Sequence, residues 1–192
     1  MTNRVDLDRI DLMTDLETWG IGPNAVVRAV AMVAFNPWTG EVVDTQVWDW
    51  RGLTDCQLEL GRSVDAKAVR WWRKRSGSRL GDLLVGCCAP EMAIAPSSMG
   101  KALGQLEAFA LANDPFCCWS RGDFDYPILS SLLDQMGGGA FWEFWQLRDV
   151  RTLDDLAPKV KPDIPHHPLS DCLAQIAQVR AALALVPREE AA

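Results

Sequence analysis

Ile10-Asp11-Leu12-Met13-Thr14-Asp15-Leu16-Glu17-Thr18-Trp19-Gly20 is the stretch on which the fold turns. Residues 10–17 read as a strand, mostly apolar and closing on carboxylates. Side chains two apart on a strand share a face, so Asp15 and Glu17 project together while Leu16 points away. Two like charges held that close repel one another unless a cation lies between them. A hard divalent ion such as Mg²⁺, which takes oxygen ligands, is the usual answer. Read alone, Asp-x-Glu is equally an exposed strand end running into a polar loop.

Outward from this strand, residues 25–35 form a second strand rich in Val and Ala. Asn36-Pro37-Trp38-Thr39-Gly40 carries turn chemistry and leads into a third strand at residues 41–50, giving a hairpin-type pair. Helical spacing follows at residues 65–74, with Ser63 or Asp65 as the cap, and at residues 97–112. Residues 116–120 read as a short buried strand, 126–136 as a helix and 146–152 as a last strand. A closing helix spans 168–185, where Pro168 suits the first helical position. Three strands followed by alternating strands and helices predict a mixed α/β sandwich. Nothing reads as an interdomain linker, so the expectation is one domain over 1–192, with its core at about 8–186 and a frayed tail at 187–192.

Two further signals lie downstream. In Trp119-Ser120-Arg121-Gly122-Asp123-Phe124-Asp125-Tyr126, a strand ends, a glycine turn follows, and acids stand where a helix begins. Helix capping explains such acids as readily as chemistry does. In His166-His167-Pro168-Leu169-Ser170-Asp171, the chain's two histidines sit side by side before a helix. Leu169, Leu173 and Ile176 form its apolar stripe, and Asp171 falls off that stripe near the helix start. Adjacent loop histidines by themselves read as a solvated turn.

Strand-end Asp15 and Glu17, then Phe124-Asp125 after a glycine turn, then His166 five positions before Asp171, together resemble the DEDD exonuclease superfamily in its histidine-containing branch. Gly61-Arg62-Ser63-Val64-Asp65 with Val69-Arg70-Trp71-Trp72, and Phe141-Trp142 with Arg148-Asp149-Val150-Arg151-Thr152-Leu153, are similar to segments of a phage and bacterial 3′→5′ exonuclease subgroup. The likeness runs over roughly residues 10–180. It implies a ribonuclease H-like α/β fold, a central mixed sheet flanked by helices. It also implies two Mg²⁺ or Mn²⁺ held by Asp15, Glu17, Asp125 and Asp171, with His166 as general base. Two such ions clamp the attacking and leaving oxygens of an in-line phosphoryl displacement. An imidazole of ordinary pKa, about 6.5, suits the base, so activity is expected to fall as His166 is protonated. Asp123 and His167 are the controls, expected to face solvent or to support the site.

Thr18, Trp19 and Gly20 occupy the turn that, by the resemblance, contacts the terminal nucleotide. Gly20 would let backbone approach the sugar. Trp19 either stacks on a base or belongs to the core or a lid. Arg70, Arg73, Lys74 and Arg75 are either a solvated helix face or phosphate contacts, and Arg148 and Arg151 are further candidates for the phosphates.

Composition restrains these readings. The net charge is −7, which argues against a protein that holds DNA tightly through Lys and Arg, but not against an enzyme that meets phosphates through bound cations. Six cysteines show no zinc or redox spacing; Cys87–Cys88 and Cys117–Cys118 lie in apolar segments and read as buried and reduced. The apolar run at 25–35 is interrupted by Arg28 and too short for a bilayer, and Asp6 stands where a leader needs an apolar core. The expected setting is cytoplasmic (host cytoplasm if phage-encoded), without a membrane partner. The expected partner is the 3′ end of single-stranded DNA or RNA, and a homodimer is left open. The alternatives are a phosphodiesterase for very short oligonucleotides or nucleotide signals, and a nuclease-like binding module without turnover.

Overall fold

The computed structural model describes residues 8–75 and 93–186. Strands β1 (Asp11–Thr18), β2 (Val27–Phe35) and β3 (Val42–Asp49) form an antiparallel meander. Two short helices follow, α1 (Thr54–Glu59) and α2 (Ala66–Arg75). β4 (Ala93–Ile94) pairs parallel to β3. After α3 (Met99–Asn113) come β5 (Cys118–Ser120), α4 (Asp125–Gln135), β6 (Leu147–Asp149) and α5 (Pro168–Leu183). β5 lies parallel to β1, and β6 parallel to β5, so the mixed sheet runs β4-β3-β2-β1-β5-β6.

Strand alternation sorts two cores onto the two faces of this sheet. Leu12, Leu16, Val30, Met32 and Trp48 meet α3 and α4 through Leu103, Leu106, Leu129 and Leu132. Met13, Ala31, Val33 and Phe35 meet α5 through Cys172, Ile176 and Val179. All nine residues of β2 are buried, as expected of a strand covered on both sides. Asp15 and Glu17 share the parity of Met13 and so face α5, the helix that carries Asp171.

Several local readings hold and several do not. Asp65, not Ser63, caps α2, its Oδ1 accepting the Lys67 N–H at 2.6 Å. Ser63 instead forms a backbone bridge to Ala25. Ser98 caps α3 through the Lys101 N–H. The last strand stops at Asp149, because that carboxylate accepts the Arg151 N–H and turns residues Val150–Leu153 into a 3₁₀ helix. Leu173 is not part of the buried stripe of α5; it is exposed, and Cys172, Ile176 and Val179 face the sheet. Cys117 and Cys118 are buried free thiols, whereas Cys87 and Cys88 and the tail at 187–192 lie outside the described residues.

A buried acid outside the terminal pair ties the sheet together. Asp11 is fully buried and receives two bonds from Arg9 at 2.7 Å, the Cys117 N–H at 3.2 Å and the Trp119 indole N–H at 2.7 Å. These bonds satisfy its charge and fix β1 against β5, the pairing that sets the two strand ends side by side. Arg62 does the same for the turn after β1. Its buried guanidinium donates to the carbonyls of Pro23 and Ala25 and to Gln135 of α4.

Candidate active site

The adjacent ends of β1 and β5 open into a cavity of about 500 Å³, walled by α2 on one side and by α5 with the loop before it on the other. Asp15, Glu17, Asp125, His166 and Asp171 all line it, although the first and last stand 156 positions apart in the chain. Each arrives by a separate local device. Asp15 and Glu17 share a strand face; Asp15 is half-buried and accepts a bond from Gln175 Nε2 at 3.0 Å. Asp125 is the first residue of α4, but it does not cap that helix. Its Oδ1 accepts the Leu16 N–H of β1 at 2.9 Å, which pins the carboxylate between the two strand ends. The turn before it needs Gly122, at φ +98, where an added Cβ would meet the Arg151 guanidinium at 2.9 Å. Asp171 stands in the first turn of α5, one turn before Gln175 on the same face.

The chain's two histidines divide sharply. His167 is the N-cap of α5, its Nδ1 accepting the Ser170 N–H at 3.3 Å. His166 turns into the cavity on a left-handed backbone, φ +64. Its ring meets Trp71 edge-on at 4.5 Å. Ligand atoms of Glu17, His166 and Asp171 lie within 4.8 Å of one another, which sets the imidazole directly against the edge of the carboxylate cluster. Asp123 points to solvent and pairs with Arg151.

The electrostatics fit divalent ions. Burial raises Asp15 well above the ordinary carboxylate range, and the charges of Asp125, Glu17 and Asp171 add to the rise. Burial likewise raises Glu17, helped by Asp171 and Asp125 and opposed by Arg28. Asp125 is pushed up to about 7 by burial, against the pull of the Leu16 N–H. Asp171 is raised by burial as well. A cluster of acids that cannot all ionise alone is a donor set that a hard divalent cation would complete.

This has a consequence for the metal-free fold. Folded Asp125 keeps its proton up to about pH 7, whereas the ordinary value is 3.8. Folding therefore takes up protons between those limits, and stability falls as pH rises through them. His167, lowered by burial, opposes this over a narrower range. In urea titrations with chelator, the protein is expected to be at least roughly 2 kcal/mol more stable near pH 5 than near pH 7.5, with Asp125→Asn reducing the difference and the raised Asp15 and Glu17 keeping the remainder. A stability that rises over this interval contradicts the geometry.

Two residues expected at the substrate are elsewhere. Trp19 does not stack towards the cavity: the register of β1 on β2 shifts between Glu17 and Thr18, and Trp19 is buried with Val26 and Trp72. Arg148 lies on the edge strand β6, its guanidinium donating to the carbonyls of Trp145 and Leu147, away from the cavity wall. Thr18 and Gly20 do line the cavity, the Thr18 hydroxyl donating to the Gly20 carbonyl at 2.6 Å. Close packing accounts for Gly20, since a Cβ there would sit 3.2 Å from that of Ala25. Arg70, Arg73 and Lys74 are solvated, and the α2 cation at the cavity is Lys67, one turn before Trp71. Lys159, also unanticipated, brings further positive charge to the wall, as does Arg121, whose guanidinium is paired with Asp154 at 2.8 Å.

The family described as the 3′-5′ exoribonuclease Rv2179c-like domain matches residues 10–183. The chain belongs to this family. An exodeoxyribonuclease of Enterobacteria phage T4 is 28% identical over 217 residues, spanning 90% of this chain and 88% of the phage protein. Among solved structures, exonuclease I superposes with a TM-score of 0.63 at 11% identity over 92% of this chain. The zinc-bound complex of E. coli exonuclease I with single-stranded DNA does so with the same TM-score at 10% identity. This chain spans 41% of the length of either, and the likeness to them is one of fold, the ribonuclease H-like sheet. The chain is thus a 3′→5′ exonuclease of the metal-dependent DEDD superfamily.

Proposed function

We propose that this exonuclease uses two Mg²⁺ or Mn²⁺ ions to release nucleoside monophosphates from the 3′ end of single-stranded DNA or RNA. Asp15, Glu17, Asp125 and Asp171 hold the metal, and His166 is the general base. The observation that carries this reading is the convergence of four acids with raised pKa values and one imidazole on a single cavity. When bound, the ions supply Lewis-acid stabilisation of the phosphoryl oxygens and ease ionisation of the attacking water. The chain's own residues do the rest. Asp15, central to the acids, holds position through Gln175. His166 receives the proton of the attacking water at the edge of the cluster. Thr18 and Gly20 support the terminal sugar, while Lys67, Arg121 and Lys159 meet phosphates despite the chain's net charge of −7.

The relatives' names point to both sugars, one an exoribonuclease and the other an exodeoxyribonuclease. The deciding assay uses 5′-labelled single strands of DNA and RNA with Mg²⁺, Mn²⁺ or chelator. The expected result is a metal-dependent ladder shortened one nucleotide at a time from the 3′ end, blocked by a 3′-terminal phosphate. Product from dinucleotides alone favours the short-oligonucleotide phosphodiesterase. Binding without product on either sugar favours the binding module.

A further inference from the structure

Arg28 is 1% exposed, in a strand whose other eight residues are apolar. A buried guanidinium needs compensation for its lost water. Here it lies between two indole faces, its Cζ 4.1 Å from the Trp19 ring centre and 4.3 Å from that of Trp72. A flat, delocalised cation stacks in such a slot in a way that an ammonium cannot. The slot joins two elements of the site. Trp19 follows Glu17 by two residues, and Trp72 belongs to α2. The Trp72 indole N–H donates to the Thr18 carbonyl at 3.0 Å, and the Asp65 N–H to the Trp19 carbonyl at 2.7 Å, so α2 is fastened to the end of β1.

The next residue of α2 extends the chain of contacts. Trp71 meets Trp72 edge-on at 4.9 Å and His166 edge-on at 4.5 Å. His166 itself stands on a loop in a left-handed conformation, a position that its surroundings must hold. The charge of Arg28 also favours the ionised forms of Glu17 and Asp49, so the stack serves the acids as well.

We propose that Arg28, clamped between Trp19 and Trp72, is a positioning residue that fixes α2 on the end of β1 so that Trp71 holds the His166 ring at the edge of the carboxylate cluster. This rests on the reading of His166 as the base. A space-filling role would be served equally well by an apolar chain of similar length. A positioning role is not, because a base displaced by a fraction of an ångström loses rate without losing substrate affinity.

The test compares Arg28→Met and Arg28→Lys in the full-length protein. With two histidines in the chain, each ring can be followed by NMR, His166→Asn and His167→Asn assigning the signals. In metal-free Arg28→Met the His166 signals are expected to move towards those of a solvated imidazole, while His167 stays. At saturating Mn²⁺, kcat falls roughly ten- to a hundredfold and KM stays within about twofold. Arg28→Lys, keeping the charge but not the flat stack, falls between. Unmoved His166 signals in folded Arg28→Met, or a loss of kcat no greater than the loss of folded protein, overturns the proposal. Should Arg28→Met fail to fold, Arg28→Lys decides on the same two readouts. Failure of the base assignment shows separately, as an unchanged kcat in His166→Asn.

Discussion

Asp15→Asn will leave the protein folded, more stable than wild type without metal, and at least about a thousandfold slower, a barrier increase of about 4 kcal/mol. The substitution is nearly isosteric, and the amide oxygen can still accept the Gln175 bond, so no void and no orphaned donor results. What changes is charge. Burial opposes the Asp15 charge most, and Asp125, Glu17 and Asp171 add repulsion to it, so a neutral amide there removes both costs of folding. The apo fold therefore gains stability, while the site loses its central oxygen charge for cations. Melting curves with and without Mn²⁺ should show the wild type stabilised by metal and Asp15→Asn much less responsive, its apo midpoint above that of wild type. An Asp15→Asn protein that still cleaves at near wild-type rate, with an unaltered metal response, removes Asp15 from the site.

How much of this centre could be read beforehand depended on how far each signal is local. Asp15 and Glu17 were legible because a strand's period of two puts them on one face, and the structure keeps that face towards α5. Asp125 was legible by context but not by mechanism. A cap was the ordinary reading, whereas the carboxylate spans 109 residues to reach Leu16. Trp19 was undecidable in sequence because a one-residue register shift, invisible in composition, decides whether it looks into the cavity or the core. Arg148 misled because a basic residue beside the late motif says nothing of which sheet edge it occupies, and β6 is the outer one. Gln175 could have been found, one turn beyond Asp171 on the same helix face. Arg121 and Lys159 could not, since the loop that brings Lys159 to the wall has no periodicity. In the fold, long elements fell within a few residues of expectation. α1 and the two-residue β4 were missed, the first too short for a helical stripe and the second too short to alternate.

His166→Asn is expected to lower kcat by about a hundredfold or more at saturating Mn²⁺, with little change in KM. Asparagine is the informative replacement because the backbone there is left-handed, which Asn tolerates better than Ala, so the loop keeps its course. An amide cannot take up a proton near neutral pH, and the acid limb of the pH–rate profile should therefore flatten in this variant while that of wild type bends down. His167→Asn is the matched control. His167 accepts the Ser170 N–H as the cap of α5, a task for which Asn is among the best residues, so activity should stay within about twofold. The two neighbours differ in their backbone, not in their side chain: φ +64 at His166 turns its ring towards Trp71 and the cavity, whereas the extended backbone of His167 returns its ring to the helix start. If His166→Asn and His167→Asn lower kcat alike, the loss comes from the loop's conformation, and the proton acceptor lies elsewhere. If only the first is impaired and its acid limb is gone, the imidazole at the edge of the carboxylates is what accepts the proton of the attacking water.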